Sequence, residues 1–225
     1  MDALRWLDRL DVAGVEPLGL AVGFGWRVTY SHLERLAAAG LAERVYDRDG
    51  TVAVITRPGR RRVGSDRGEV RRSFVVGDSR AHARAVSWLA ALVTLRGREW
   101  VSDREMRELP DWRMPVIWGE ARGTHRPDLG VGVDGRRVAV EVELSCKAPR
   151  RLRAILAGYE REISAGRLSG GVLYVSDRPD VLVAVTRAAR RVGLPPDRFR
   201  TRALEDVQSE VRALAAGRGG RVLAV

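Results

Sequence analysis

Apolar residues recur at helical spacing over the first stretch of the chain. Leu4, Leu7 and Leu10 line up within "MDALRWLDRLDVAG" and predict a short helix. "PLGLAVGFG" reads as a second, glycine-interrupted helix. In "SHLERLAAAG", Leu33, Leu36 and Ala37 form an apolar stripe. Ser31 and Glu34 have capping-box spacing and Gly40 marks the end, so a third helix is expected there, starting as early as Thr29. "LAERVYDRDGTVAVITRPGRRR" reads as two strands joined at "DRDG". "RAHARAVSWLAALVTLRG" is a strong helix pattern, with Val86, Leu89, Ala90 and Val93 on one face, and Ser102 with Glu105 starts a shorter one. The period then changes to two over "RPDLGVGVDGRRVAVEVELS". "PRRLRAILAGYEREISAG" is helical, "GGVLYVSD" is a short buried strand, "PDVLVAVTRAARRVG" is helical and "RFRTRALEDV" holds a last edge strand. The order predicts an α/β (α+β) chain with a central mixed sheet and two domains, 1–75 and 76–225.

The alternating stretch fixes a register. Asp134-Gly135 is a strong signal for a two-residue hairpin turn. With the turn there, Val133 pairs with Arg136, Val131 with Val138, Leu129 with Val140 and Asp128 with Glu141. Leu129, Val131, Val133, Val138, Val140, Val142 and Leu144 share the core face. Asp128, Gly130, Gly132, Glu141 and Glu143 share the other, and a one-residue slip would exchange the two.

Charge adds the next constraint. The 225-residue chain carries 40 Lys+Arg against 29 Asp+Glu, a formal net charge of +11, and a pI near 11.1. That surplus favours a polyanionic partner, nucleic acid or an anionic membrane surface. Residues 57–72 hold seven arginines against Asp66 and Glu69. The segment reads as a solvated linker, as a phosphate-tracking arm with Arg60, Arg61 and Arg62, or as both. No apolar run reaches membrane-spanning length, and the acidic, amphipathic start is unlike a signal peptide. One cysteine, Cys146, excludes an intrachain disulfide. A cytoplasmic protein with no membrane partner is expected. The oligomeric state is open, and a homodimer is compatible with this organisation.

The chemistry gathers at "EVELSCK", residues 141–147. The hairpin register puts Asp128 and Glu141 about 5 Å apart at Cβ, with Glu143 on the same face. Like charges so placed need a counter-charge. A hard divalent cation, Mg²⁺ or Mn²⁺, suits them; Arg122, Arg126, Arg150 and Arg151 offer a salt-bridge cluster as the alternative. Gly130 and Gly132 leave room on that face for a close approach. If the strand runs on, Lys147 points where the acids point. It is the only lysine among the 40 basic residues, and lysine, unlike arginine, can be deprotonated in a tuned site. His125 stands nearby in sequence and could touch phosphate.

Three resemblances follow. Three helices and a hairpin, with "GLAERV" through "ITRPGRRR" and its T-x-x-G-R exit, resemble a winged helix-turn-helix. That implies DNA binding through Arg27, Thr29, Tyr30, Ser31, His32 and Arg35 at the start of the third helix, and through Arg48 at the wing tip. A protein-interaction module of the same shape is the alternative. Pro127-Asp128, the hairpin, Glu141, Glu143 and Lys147 resemble the PD-(D/E)XK nuclease superfamily. This implies catalytic Asp128, Glu141, Glu143 and Lys147, the three acids holding Mg²⁺ or Mn²⁺, with Glu99 or Glu105 as a further acid. The usual lysine place, two residues after the second acid, holds Glu143, or Ser145 if Glu143 is the second acid. The string "HRPDLGVGVDGRRVAVEVELSCK…R…Y" behind a winged helix is similar to replication-relaxation family proteins. That similarity implies a role in plasmid or mobile-element replication or mobilisation, with other replication or mobilisation proteins as partners. A metal-dependent DNA endonuclease and a non-catalytic DNA-binding accessory or regulatory protein are the two functions implied.

Overall fold

The computed structural model describes residues 2–46, 50–67, 70, 77–118 and 121–222. It is a mixed α/β structure that divides into two compact units, Met1–Gly97 with Val207–Val225, and Arg98–Asp206. The boundary expected at 75/76 therefore falls inside the first unit.

Unit 1 begins with α1 (Ala3–Leu10), N-capped by Asp2, which accepts from the Leu4 amide at 3.0 Å. Trp6 and Leu7 are fully buried. Asp11, at φ +70, turns the chain into β1 (Val12–Gly14), and α2 (Val15–Val22) and α3 (Trp26–Ala38) follow. β2 (Ala42–Val45) and β3 (Val52–Ile55) complete an antiparallel sheet in the order β1-β3-β2. β1 is three residues long and lies between helices, too short for any periodicity to announce it.

The third helix starts five residues before Ser31. Gly25, in extended backbone, is its N-cap, and Thr29 Oγ1 donates to the Gly25 carbonyl at 3.0 Å. Ser31 and Glu34 therefore sit in mid-helix and form no capping box.

The arginine-rich segment is not simply a linker. Residues 57–62 form a helix, α4 (Arg57–Arg62), and Thr56 N-caps it by accepting from the Gly59 amide at 3.1 Å. A Cβ at Gly59 would collide with the Leu41 carbonyl. Arg60 is wholly buried between Asp8 at 2.9 Å and Asp11 at 2.5 Å. Each conspicuous residue of the T-x-x-G-R pattern thus has a local structural cause.

Helix α5 (Gly77–Leu95), expected to open the second domain, packs on β1 and α2. Its buried Ser87 accepts from the Gly14 amide at 3.0 Å. Its apolar face serves the first unit, which is why the boundary moves to 97/98.

Unit 2 starts with β4 (Trp100–Ser102) and α6 (Asp103–Met106), where Ser102 and Glu105 form the expected capping box. A single 3₁₀ turn (Pro110–Trp112) leads to a hairpin that the pattern did not announce, β5 (Met114–Trp118) and β6 (Ala121–His125). Next come β7 (Leu129–Val133), β8 (Arg136–Val142), α7 (Pro149–Ser164), β9 (Gly171–Ser176), α8 (Pro179–Arg191) and β10 (Phe199–Ala203). The five strands of the main sheet run β10-β9-β8-β7-β4. Pairs β4–β7 and β7–β8 are antiparallel, and β8–β9 and β9–β10 are parallel, so the sheet is mixed. A last helix, α9 (Leu204–Val222), follows the edge strand and from Val207 onward belongs to unit 1.

The hairpin register is the expected one. Val133 faces Arg136, Val131 faces Val138 and Leu129 faces Val140, with Asp134 and Gly135 both at positive φ as a type I′ turn requires. The two faces are not divided into core and open surface, however. Leu129, Val131, Val140 and Val142 are buried, and so are Ala139, Val172 and Tyr174 on the acids' face. That second face carries α7 and α8 through Leu152, Ile155, Leu156, Tyr159, Val181 and Val185. The parallel β8–β9 pair requires a crossover, and the crossover helix α7 covers the face that the alternating pattern had left to solvent.

Candidate active site

The site is built where β8 ends. Pairing of β7 with β8 stops at Leu129–Val140, one residue short of the expected Asp128–Glu141 pair. Asp128 turns its Oδ2 onto the Val142 amide at 2.7 Å, and its carbonyl accepts from the Asp103 amide at 3.0 Å. Glu141 is the penultimate residue of β8 and is 4% exposed. Its Oε1 accepts the hydroxyl of Tyr159 on α7 and lies 2.6 Å from His125 Nε2 on β6. The hairpin that was not announced therefore delivers His125 to the site. The two rings meet edge to face, centroids 5.8 Å apart.

Glu143 is 5% exposed. Its amide donates to the Val175 carbonyl at 2.9 Å, and Ser176 Oγ donates to its carbonyl at 2.5 Å. Lys147 Nζ donates to Glu143 Oε2. The lysine reaches the acids, but not by the expected route. β8 ends at Val142, and the loop of 143–148 turns Lys147 back onto Glu143.

Of the arginines offered as neutralising partners, one is placed by an ion pair. Arg126 pairs with Asp103 at 2.9 Å, while Arg122, Arg150 and Arg151 are exposed. Of the two glycines, Gly132 is exposed and Gly130 is not open to a ligand. The Trp112 ring fills the space where a Cβ on Gly130 would stand, and the Gly132 amide donates to the Glu99 carbonyl at 2.9 Å. The close approach allowed by Gly130 is made by the chain's own indole.

The electrostatics follow from burying Glu141 and Glu143 beside the half-buried Asp128. Burial pushes the Glu143 carboxyl above its ordinary value, the charges of Glu141 and Asp128 push it further, and Lys147 offsets part of this. His125 is pulled down by burial, but Glu141 and then Asp128 outweigh that and leave its pKa raised. Burial, with Glu141 next, holds the Tyr159 and Tyr174 hydroxyls well above the usual phenol value, so Tyr159 stays a donor to Glu141.

Among the described residues, no group of three or more His, Cys, Asp and Glu side chains is placed to hold a metal ion. Asp128, Glu141 and Glu143 are each engaged by a protein donor: an amide, a phenol with an imidazole, and an ammonium. Tyr159 is the partner that the residue pattern alone did not single out. Its signal was present, since a tyrosine in the apolar stripe Leu152, Ile155, Leu156, Tyr159 must find a partner for its hydroxyl.

The residues expected to meet DNA separate by burial. Arg27, Ser31, Arg35, Arg61 and Arg62 are exposed, and Tyr30 and His32 are half-buried. Thr29 is buried against Gly19, where its hydroxyl serves the helix start. Arg60 is buried in its ion pairs. Neither Thr29 nor Arg60 is available to a ligand. Arg48 lies outside the described residues.

No family model and no curated protein matches the chain. A crystal structure of protein VC1899 from Vibrio cholerae is similar at 16% identity with a TM-score of 0.39, over 85% of this chain and 43% of that one. The chain thus spans less than half the length of that neighbour. No helix among the described residues is long and apolar enough to cross a membrane.

Proposed function

We propose that the chain is a DNA-binding protein whose second unit carries a nuclease-like site for a divalent cation. Asp128, Glu141 and Glu143 are the ligands for Mg²⁺ or Mn²⁺, and Lys147 stands beside them. One observation carries the reading: three carboxylates and the sole lysine of the chain meet at the end of one buried strand. The element order supports it. In unit 1, helix, strand, two helices and a hairpin follow the winged helix-turn-helix order, with Arg27, Ser31 and Arg35 exposed on α3. In unit 2, an antiparallel run β4, β7, β8 crosses through α7 to the parallel β9, as a PD-(D/E)XK-like core does. The resemblance to replication-relaxation proteins ties this reading to plasmid or mobile-element replication or mobilisation.

The donor chemistry fits a hard cation. Carboxylate oxygens are what Mg²⁺ and Mn²⁺ take, and the Glu143 carboxyl, raised first by burial, lies within the fields of Lys147, Glu141 and Asp128. Binding such an ion requires the carboxylates to turn from their present donors. When bound, the cation supplies a Lewis acid for the scissile phosphate and an acidified water. The chain's own residues do the rest. Tyr159 and His125 fix the orientation of Glu141, and Lys147 orients the attacking water or holds charge developing on phosphate. The exposed Arg150, Arg151 and Arg153, in the first turns of α7, offer charge for the DNA backbone. Cleavage of supercoiled and branched DNA with Mg²⁺ or Mn²⁺ tests this. Wild type should cut, and Asp128→Ala and Glu141→Ala should not.

A second reading, a non-catalytic DNA-binding accessory or regulatory protein, is favoured by one observation: the acids accept from protein donors, and no three such groups among the described residues are placed to hold an ion. DNA binding with no cutting by wild type would select it, while equal cutting by all three proteins would overturn the assignment of Asp128 and Glu141 as the catalytic site.

A further inference from the structure

The exposed face of unit 1 around the start of α3 is unusual in what it lacks. Trp26 and Val28 are 67% and 53% exposed, and Tyr46, just after β2, is 61% exposed. Trp26 stands edge-on to Tyr30, centroids 4.4 Å apart. The Tyr30 hydroxyl donates to Thr51 Oγ1 at 3.1 Å. β2 and β3 pair last at Val45–Val52, so Tyr46 and Thr51 are the next residues of their strands at the same end of the hairpin. Trp26 and Tyr30 on the helix are thus tied through Thr51 to the end of the hairpin where Tyr46 is exposed. Cations accompany it. Arg44 lies 5.6 Å over the Tyr46 ring, held also by Glu34 at 3.3 Å, and Arg27 is exposed beside Trp26.

Reading base edges in a duplex groove takes long hydrogen-bonding side chains such as Arg, Lys, Asn and Gln. The first two turns of α3 expose Trp26, Arg27, Val28 and Ser31, with a single long donor among them. What they present in quantity is ring surface. Rings interleaved with arginines are the equipment for stacking unpaired bases, whose flat faces a duplex keeps hidden. Exposed large apolar side chains gathered in one place on a strongly basic protein also call for a partner that is both flat and anionic.

We infer that the Trp26–Tyr30–Tyr46 run is a stacking platform for unpaired DNA bases, so that unit 1 engages single-stranded or locally opened DNA rather than reading a closed duplex. The inference rests on the DNA-binding half of the proposed function and names the form of DNA taken; it does not depend on cleavage.

The test is fluorescence polarisation with two probes at one fixed low salt concentration: a labelled oligothymidylate and a blunt-ended duplex. Trp26→Ala and Tyr46→Ala should each weaken oligothymidylate binding about 5- to 100-fold, the loss of one stacked base. Duplex binding should change less than about 3-fold, and Trp26→Phe should keep most of the affinity. Both altered side chains are exposed, so the fold should persist, and circular dichroism checks it. Equal losses on both probes, or no loss, would overturn the inference. Wild type that binds the duplex but not oligothymidylate overturns the platform and leaves the DNA-binding reading standing. Binding to neither overturns both.

Discussion

Arg60 is the residue on which an arginine's structural and DNA-binding roles separate most sharply. Its side chain is fully buried, its guanidinium reaches Asp8 at 2.9 Å and Asp11 at 2.5 Å, and its Nε makes no hydrogen bond. Arg60→Ala leaves two carboxylates whose side chains are 12% and 13% exposed, with Arg67 at 3.5 Å from Asp8 as a remaining cation. Breaking one side of a buried ion cluster costs roughly 3–5 kcal/mol. In a chain of this size each kcal/mol moves Tm by about 2–4 °C, so a fall of about 6–20 °C is expected. Arg61→Ala and Arg62→Ala, both exposed, should stay within about 0.5 kcal/mol of wild type. Arg60→Met alone should not rescue stability, because the acids remain; Arg60→Met with Asp8→Asn and Asp11→Asn should recover part of it. Thermal unfolding followed by far-UV circular dichroism measures all of these. If Arg60→Ala melts with wild type and loses DNA affinity instead, the structural assignment of this arginine is wrong.

Other expectations concern the second unit. Tyr159→Phe removes the hydroxyl that Glu141 accepts, and should cost about 1–3 kcal/mol in a denaturant titration while leaving the helix content unchanged. Gly130→Ala drives a methyl into the Trp112 ring and should destabilise by about 1–3 kcal/mol, with a shift in tryptophan emission. The pH dependence has a definite sign. The raised Glu143 pKa means the folded chain keeps a proton that the unfolded chain has lost, so this contribution is full below about 4.5 and is lost as pH rises through the raised value. The raised His125 acts in the same direction, with its contribution lost above its ordinary 6.5. In a chelator, stability should fall from pH 5 to pH 8, and Glu143→Gln should flatten that slope; a slope of opposite sign would refute the shared-field account. Adding Mn²⁺ should reverse the trend, because a cation competes with those protons.

The hairpin was fully legible in the residues because three local signals agree there. Asp134-Gly135 specifies the turn, and strict alternation on both sides leaves a single register. The covering of the acids' face was not legible from alternation. Alternating strands suggest one wet face, and only the parallel partner β9, which comes 28 residues after the end of β8 and reaches its place through α7, reveals that both are buried. His125 was hidden for a similar reason. Between β5 and β6 the sequence reads Gly119-Glu120, a weaker turn signal than Asp-Gly, and the flanking residues read as ordinary loop. Lys147 came to the right acid for the wrong reason, by a loop rather than a continued strand. The basic segment misled because an arginine run looks the same whether its members face solvent, like Arg61 and Arg62, or pair inside, like Arg60. What decided it was two aspartates some fifty residues away in the chain.

Calorimetric titration with Mn²⁺ tests the central claim most directly. Wild type should bind one or two ions with release of protons, Asp128→Ala and Glu141→Ala should lose that heat, and Lys147→Ala should keep it. No binding by wild type, or binding of equal strength in Asp128→Ala, would contradict the assignment of Asp128, Glu141 and Glu143 as a cation site.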